Sequence, residues 1–158
     1  MGKAKTQGDL IGGSKKKEGD LDFSKGMECH GFEQKVEAQT DPNSGLTVGR
    51  RRHHPLVIRK EVDAASPLLF NALCTNEILP TCKFSFNKAD QAGKQKVYYT
   101  IELVNAVVSS YRNFHAQDVT SREKYDTNEQ EEVELTFQKI TVTWVDGGKT
   151  AVDDWLNS

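Results

Sequence analysis

A chain of 158 residues is long enough to fold as one domain with a sizeable core. Its 36% hydrophobic and 28% charged residues are those of an ordinary globular protein, and 23 acidic against 21 basic side chains argue against a face that grips nucleic acid through phosphates. No run of about 18 apolar residues is present for a membrane span, the N-terminus lacks the apolar stretch of a signal peptide, and the three cysteines (Cys29, Cys74, Cys82) match neither a disulfide framework nor a paired zinc motif.

Residues 1–22 are rich in Gly, Lys, Asp and Ser and read as a loop-dominated entry segment. From Phe23 the pattern FSKGMECHGFEQK places Met27 and Cys29 on one face of a strand until Gly31 breaks the period, which predicts a bulge. TDPNSGLTVG, with Asp-Pro, Asn-Ser-Gly and a further Gly, predicts a long loop over 40–54. HPLVIRK reads as a strand with Pro55 at its start, where a missing N–H is tolerated. In DAASPLLFNALCTNE, Ser66 suits the N-cap and Pro67 the first helical position. Leu69, Ala72 and Leu73 follow on one face, and Cys74 reads as a buried small hydrophobe.

Strands follow. TCKFSFN points Cys82, Phe84 and Phe86 inward, and KVYYTIELV does the same with Val97, Tyr99, Ile101 and Leu103. Residues 113–132 show no sustained period and predict a long connection. In VELTFQKITVTW, Val133, Leu135 and Phe137 share one parity and Ile140, Val142 and Trp144 the other, so a bend near Gln138–Lys139 is needed to reconcile them. About six strands with one short helix predict an all-β, two-sheet antiparallel barrel or sandwich over residues 1–158 as a single domain.

Catalytic signatures are missing: no phosphate loop, HExxH, GxSxG or calcium-loop pattern occurs, and no cofactor is implied. His53 and His54 are adjacent, so on a strand they face opposite sides and do not share one metal. The carboxylate pairs Glu131–Glu132 and Asp153–Asp154 sit in polar runs and read as solvated surface rather than acid–base machinery. One electrostatic feature stands out. The basic run Arg50, Arg51, Arg52, His53 has a counterpart in the acidic stretch 121–134, with Asp126, Glu129, Glu131 and Glu132. Opposite charges on separate loops suit head-to-tail association of identical copies; two unrelated solvated loops explain them equally well. A monomeric ligand-binding barrel and an adaptor using the acidic loop are the other readings the residues leave open.

The blocks TQGDLIGGS, SKGMECHGFEQKV, TDPNSGLTVGRRRHHPLVIRK, KEVDAASPLLFNAL, YYTIELVNAVVSSY and EEVELTFQKITVTW, with DDWL near the end, resemble in order and spacing the hemolysin-coregulated protein (Hcp) family, the tube subunit of bacterial type VI secretion systems. The resemblance covers nearly the whole chain. It implies a β-barrel of two sheets with a flanking helix, no catalysis, and hexameric rings that stack as a hollow tube inside contractile sheath proteins. It further implies a VgrG-type spike at the tip and effector proteins in the lumen. Assembly would occur in the bacterial cytoplasm and release would need no signal peptide. The loop 40–54 would contact the neighbouring ring, making Arg50, Arg51, Arg52 and His53 stacking residues, and the strand matching MECHGFEQK would line the pore with Glu33. Family members usually begin with an apolar alternating strand; this sequence begins Met1-Gly2, so either that strand is lacking or Leu21 and Phe23 supply part of its edge.

Overall fold

The computed structural model describes residues 26–115 and 129–155 with their side chains, and the backbone of four short strands before them. Those four are β1 (Gly2–Ala4), β2 (Gly8–Leu10), β3 (Lys17–Glu18) and β4 (Leu21–Asp22). Then come β5 (Cys29–Glu33), β6 (Val36–Glu37), β7 (Arg52–His53), β8 (Leu56–Glu61), the helix α1 (Ser66–Cys74), β9 (Ile78–Ala89), β10 (Gln95–Phe114), β11 (Gln130–Thr136), β12 (Lys139–Trp144) and β13 (Lys149–Asp154). Nine strands form one antiparallel sheet, ordered β2-β1-β9-β10-β11-β8-β5, with β12 on β10 and β13 on β12. The N-terminal segment is therefore not purely loop: β1 extends the sheet beyond β9, pairing Gly2 with Cys82 and Lys3 with Thr81, and β4 pairs with β3 in a separate ribbon instead of supplying that edge.

The sheet becomes a two-walled barrel because β10 changes partner. Along one edge it pairs with β9 from Gln95 to Val107; along the other it pairs with β12 over Tyr99–Val104 and then with β11 over Val107–Phe114. The switch falls at Asn105, whose φ of 50° is a left-handed conformation that Asn tolerates better than most residues. Inward residues are Ile101 and Leu103 before it and Ala106 and Val108 after it, so the side-chain phase shifts by one. Pro80 stands opposite Asn105, between the pairs Val104–Thr81 and Ala106–Leu79, and β9 turns over with it, Leu79 and Cys82 both pointing in. A prolyl nitrogen has no hydrogen to give a ladder, so it suits a corner. The expected bend lies at Phe137–Gln138, between β11 and β12, where Asn105 Nδ2 donates to Gln138 Oε1 at 2.8 Å. The walls close over one core of Leu56, Ile58, Leu69, Leu79, Ile101, Leu103, Val108, Val133, Leu135 and Ile140. Each such side chain removed from water contributes roughly 1.5–3 kcal/mol. Phe32 of β5 reaches across to Phe84 and Phe86 of β9, with ring centroids 5.9 and 5.0 Å apart.

The helix corrects two expectations. Ser66 is not its cap: Ala65 holds that position, and Ser66 is the first helical residue. Its Oγ accepts the Asp63 N–H at 2.9 Å while Asp63 Oδ1 accepts the Ala65 N–H at 2.9 Å, so Asp63 organises the start. Pro67 lies in the first turn and Leu69 and Ala72 are buried, with Leu73 packed against the core. Cys74, expected inside, is exposed at the last helical position, because the buried stripe ends at Leu73. Cys82 is the buried thiol, pushed up to about 11 by its burial.

Glu131 also departs from its expected place on the surface. The strand β8 turns Leu56, Ile58 and Lys60 inward, and β11 turns Glu131, Val133 and Leu135 inward, so the registered pair Lys60–Glu131 lies wholly inside. Lys60 Nζ donates to Glu131 Oε1 at 2.6 Å, to Asp63 Oδ1 at 2.8 Å and to the Glu61 carbonyl at 2.7 Å. Tyr111 on β10 donates its hydroxyl to Glu131 Oε2 at 2.6 Å, and burial together with that carboxylate pushes the phenol up to about 12. Lys60→Met, which strands a buried carboxylate, will cost about 3–5 kcal/mol in urea unfolding, whereas Lys60→Met with Glu131→Leu will recover most of that loss. At the corner, Asn105→Gly will be tolerated within about 0.5 kcal/mol and Asn105→Val will cost about 1–2 kcal/mol, because a branched side chain strains the left-handed backbone.

Candidate assembly interface

Residues 36–53 form an arm rather than an open loop. At its base β6 pairs with β7, Val36 with His53 and Glu37 with Arg52. Further out Val48 N donates to Gln39 O at 2.7 Å, Thr40 bridges Thr47, and Asp41 N donates to Leu46 O at 2.9 Å. The tip is an Asp-Pro-Asn-Ser-Gly turn. Asp41 accepts the Asn43 N–H at 2.9 Å and the Ser44 hydroxyl at 3.1 Å, bonds that hold its carboxyl below the usual range, and Gly45 takes the left-handed backbone (φ 68°) the turn requires. Leu46 and Val48 share one face of the returning strand and are 68% and 48% exposed.

The arm leaves the barrel at the corner, and the last strand holds it there. Asp153 of β13 accepts hydrogen bonds from the Arg51 guanidinium and, at 2.5 Å, from His53 Nε2, while Arg51 Nη2 also donates to the Asp154 carbonyl at 3.3 Å. The Arg51 guanidinium, then His53, hold the Asp153 carboxyl at about 2. His53 is almost wholly buried, its ring against Phe137 (5.5 Å) and Trp155 (5.4 Å), and its Nδ1 has no hydrogen-bond partner. His54 faces the other way and bridges Glu37 at 2.6 Å; Lys35 and His54 hold that carboxyl at about 2. A shallow cleft of about 210 Å³, lined by His53, His54, Pro55, Thr136, Phe137 and Trp155, lies beside this clamp.

The four basic residues thus divide. Arg51 and His53 serve their own chain; Arg50 and Arg52 are exposed with no ion pair among the described residues. The acidic set divides too. Asp126 lies outside the described residues, Glu129 is exposed, and Glu131 and Glu132 are not loop residues but belong to β11. Glu131 is buried on Lys60, and Glu132 accepts from Arg59 Nε at 2.6 Å and Arg112 Nη2 at 3.3 Å on the outward face. Both are engaged within the chain, Glu131 in the interior and Glu132 on the outward face. Glu33 is exposed on β5, opposite Val57. The bulge expected at Gly31 lies between Cys29 and Gly31; a Cβ at Gly31 would stand 2.8 Å from Arg59 Cβ, so glycine makes room for the Arg59 side chain. The sequence reading missed Asp153, taken as solvated surface, and Glu37. The signal for both was the opposed facing of His53 and His54, each of which needs a partner on its own side.

A family model described as "Type VI secretion system effector, Hcp" matches residues 4–144. The chain belongs to the Hcp family. Over 125 residues, 79% of this chain and 72% of the relative, it is 35% identical to the major exported protein of Pseudomonas aeruginosa strain PAO1. Its fold is similar to that of the secreted protein Hcp3 from Pseudomonas aeruginosa (28% identity, TM-score 0.75, covering 98% of this chain and 96% of that one). It is similar also to the Hcp1 protein from E. coli EAEC 042 (30% identity, TM-score 0.80, 98% and 95% covered). An Hcp crystal structure at 22% identity and TM-score 0.85 shares the same fold. The protein is a tube subunit of a type VI secretion system, a structural and secreted component, and the ligand-binding and adaptor readings give way to that role.

A carboxyl lowered on folding contributes stability that is whole above its ordinary value and lost as pH falls through the lowered one. The carboxylates of Asp153 and Glu37, both held at about 2, will therefore keep the arm in place from neutral pH down to about 4 and release it as pH approaches 2. Amide exchange at Val48 and His54, whose N–H groups bond Gln39 and Lys35, reads this release.

Proposed function

We propose that copies of this chain, each acting as a single tube unit over residues 1–158, close into hexameric rings that stack head to tail into a hollow tube. In this reading a contractile sheath surrounds the tube, a VgrG-type spike tips it and effector proteins travel in its lumen. It is assembled in the bacterial cytoplasm and exported from the cell. The observation that carries the stacking is the arm: a hydrogen-bonded hairpin whose Leu46 and Val48 face has no core of its own to enter and whose Arg50 and Arg52 are unpaired among the described residues. A projecting element with apolar and cationic groups suits a heterologous contact, in which one surface of a copy meets a different surface of the next and the assembly continues. Arg50 and Arg52 are then the stacking cations, and Glu33, exposed on β5, is the lumen residue.

Charge reversal of the two free arginines, Arg50→Glu with Arg52→Glu, will leave ring-sized particles intact by light scattering and abolish tubes in negative-stain images. Unchanged tubes would remove these residues from the stacking contact; a strict monomer of the parent chain at high concentration would remove the ring itself.

A further inference from the structure

Asp153 lies on β13, whose only strand partner among the described residues is β12, yet both side chains that grip it come from the arm, 102 and 100 residues earlier. Arg51 and His53 flank Arg52 in the returning strand of the arm, so one carboxylate fixes that strand on both sides of the residue paired with Glu37. The fit is completed by the His53 ring against Phe137, from the bend between β11 and β12, and against Trp155, which follows β13. Trp155 N in turn donates to Gln138 O at 3.0 Å, in the same bend. Because the Asp153 carboxylate accepts, His53 presents a proton on Nε2, and the buried Nδ1 has no hydrogen-bond partner. A buried polar atom without a partner is costly, so the ring is held in that orientation by the carboxylate and the aromatic contacts, not by satisfaction of both nitrogens.

We propose that Asp153 is a positioning residue for assembly: it sets the direction of the arm from the last strand, so that a subunit presents a stacking arm only when β13 is docked. Arg51 therefore contributes to stacking from within its own chain, by aiming Arg50, Arg52 and the Leu46–Val48 face. The inference rests on the stacked-ring reading for its consequence in tubes, but the clamp itself is read within one subunit.

The experiment compares the full chain with Asp153→Asn and with the charge swap Arg51→Asp plus Asp153→Arg. In Asp153→Asn, amide exchange at Val48 and His54 will rise about tenfold while exchange in the core strand β10 stays at the parent's rate, rings will persist and tubes will be lost. The swap restores opposite charges at the same two places but leaves His53 Nε2 without its acceptor, so arm exchange will fall part of the way from the Asp153→Asn rate toward the parent's and tubes will return in part, a recovery a merely structural loss at β13 would not give. Parent-like exchange in the arm of Asp153→Asn overturns the clamp, and tubes formed by that variant at the parent's yield overturn its role in stacking. If the parent forms rings but no tubes, the stacked-ring reading fails alone, because the exchange measurement still decides the clamp.

Discussion

The buried pair Lys60–Glu131 is the interaction on which the rest of the subunit depends. Two charges taken from water into a barrel interior carry a desolvation penalty of several kcal/mol each, and only close geometry with every remaining donor and acceptor engaged offsets it. Here both conditions are met. The ammonium reaches two carboxylates and a carbonyl, and the second oxygen of Glu131 takes the Tyr111 hydroxyl. The pair thereby ties three strands, β8, β11 and β10, to Asp63, and Asp63 starts the helix. A one-residue slip of β8 against β11 would turn either charge outward and leave the other buried alone, so the pair specifies register as strongly as the apolar residues beside it.

From that fixed half of the barrel the chain builds a corner. Pro80 in β9, Asn105 in β10 and the Phe137–Gln138 bend between β11 and β12 shift the side-chain phase together, and the arm base and the last strand converge where they do. An assembly arm on a flexible tether would spend binding free energy on being ordered. This one is ordered beforehand by its own hairpin bonds and by ion pairs whose carboxylates stay charged far below neutral pH.

Most of the strands were legible because a half-buried strand alternates, and the bulge at Gly31 and the bend near Gln138 were legible because the alternation breaks there. Lys60 and Glu131 were not, since polar residues inside runs such as VIRKEV and EEVELT look like surface when each run is read alone. Their common parity with Ile58 and with Val133 was the available sign, but it needs the pairing of two strands 71 positions apart to become an argument. Ser66 was misassigned because Ser before Pro fits a cap equally well one residue later, and only the Asp63 turn decides between them. At the arm, composition identified the basic cluster but could not divide it, because the side chain that claims Arg51 comes from the other end of the sequence.

The same separations order the events by which the chain reaches this state. β9 and β10 are joined by a short turn through Asp90–Lys94, and β12 and β13 by one at Gly147–Gly148, so both hairpins close small loops and can form early. Strand β8 must instead find β11 across the whole helix and both long strands. Loop-closure entropy makes that pairing slower than either hairpin, and until it forms Lys60 and Glu131 remain hydrated. A charged pair at the centre of that pairing makes an unmatched strand a poor substitute for the right one.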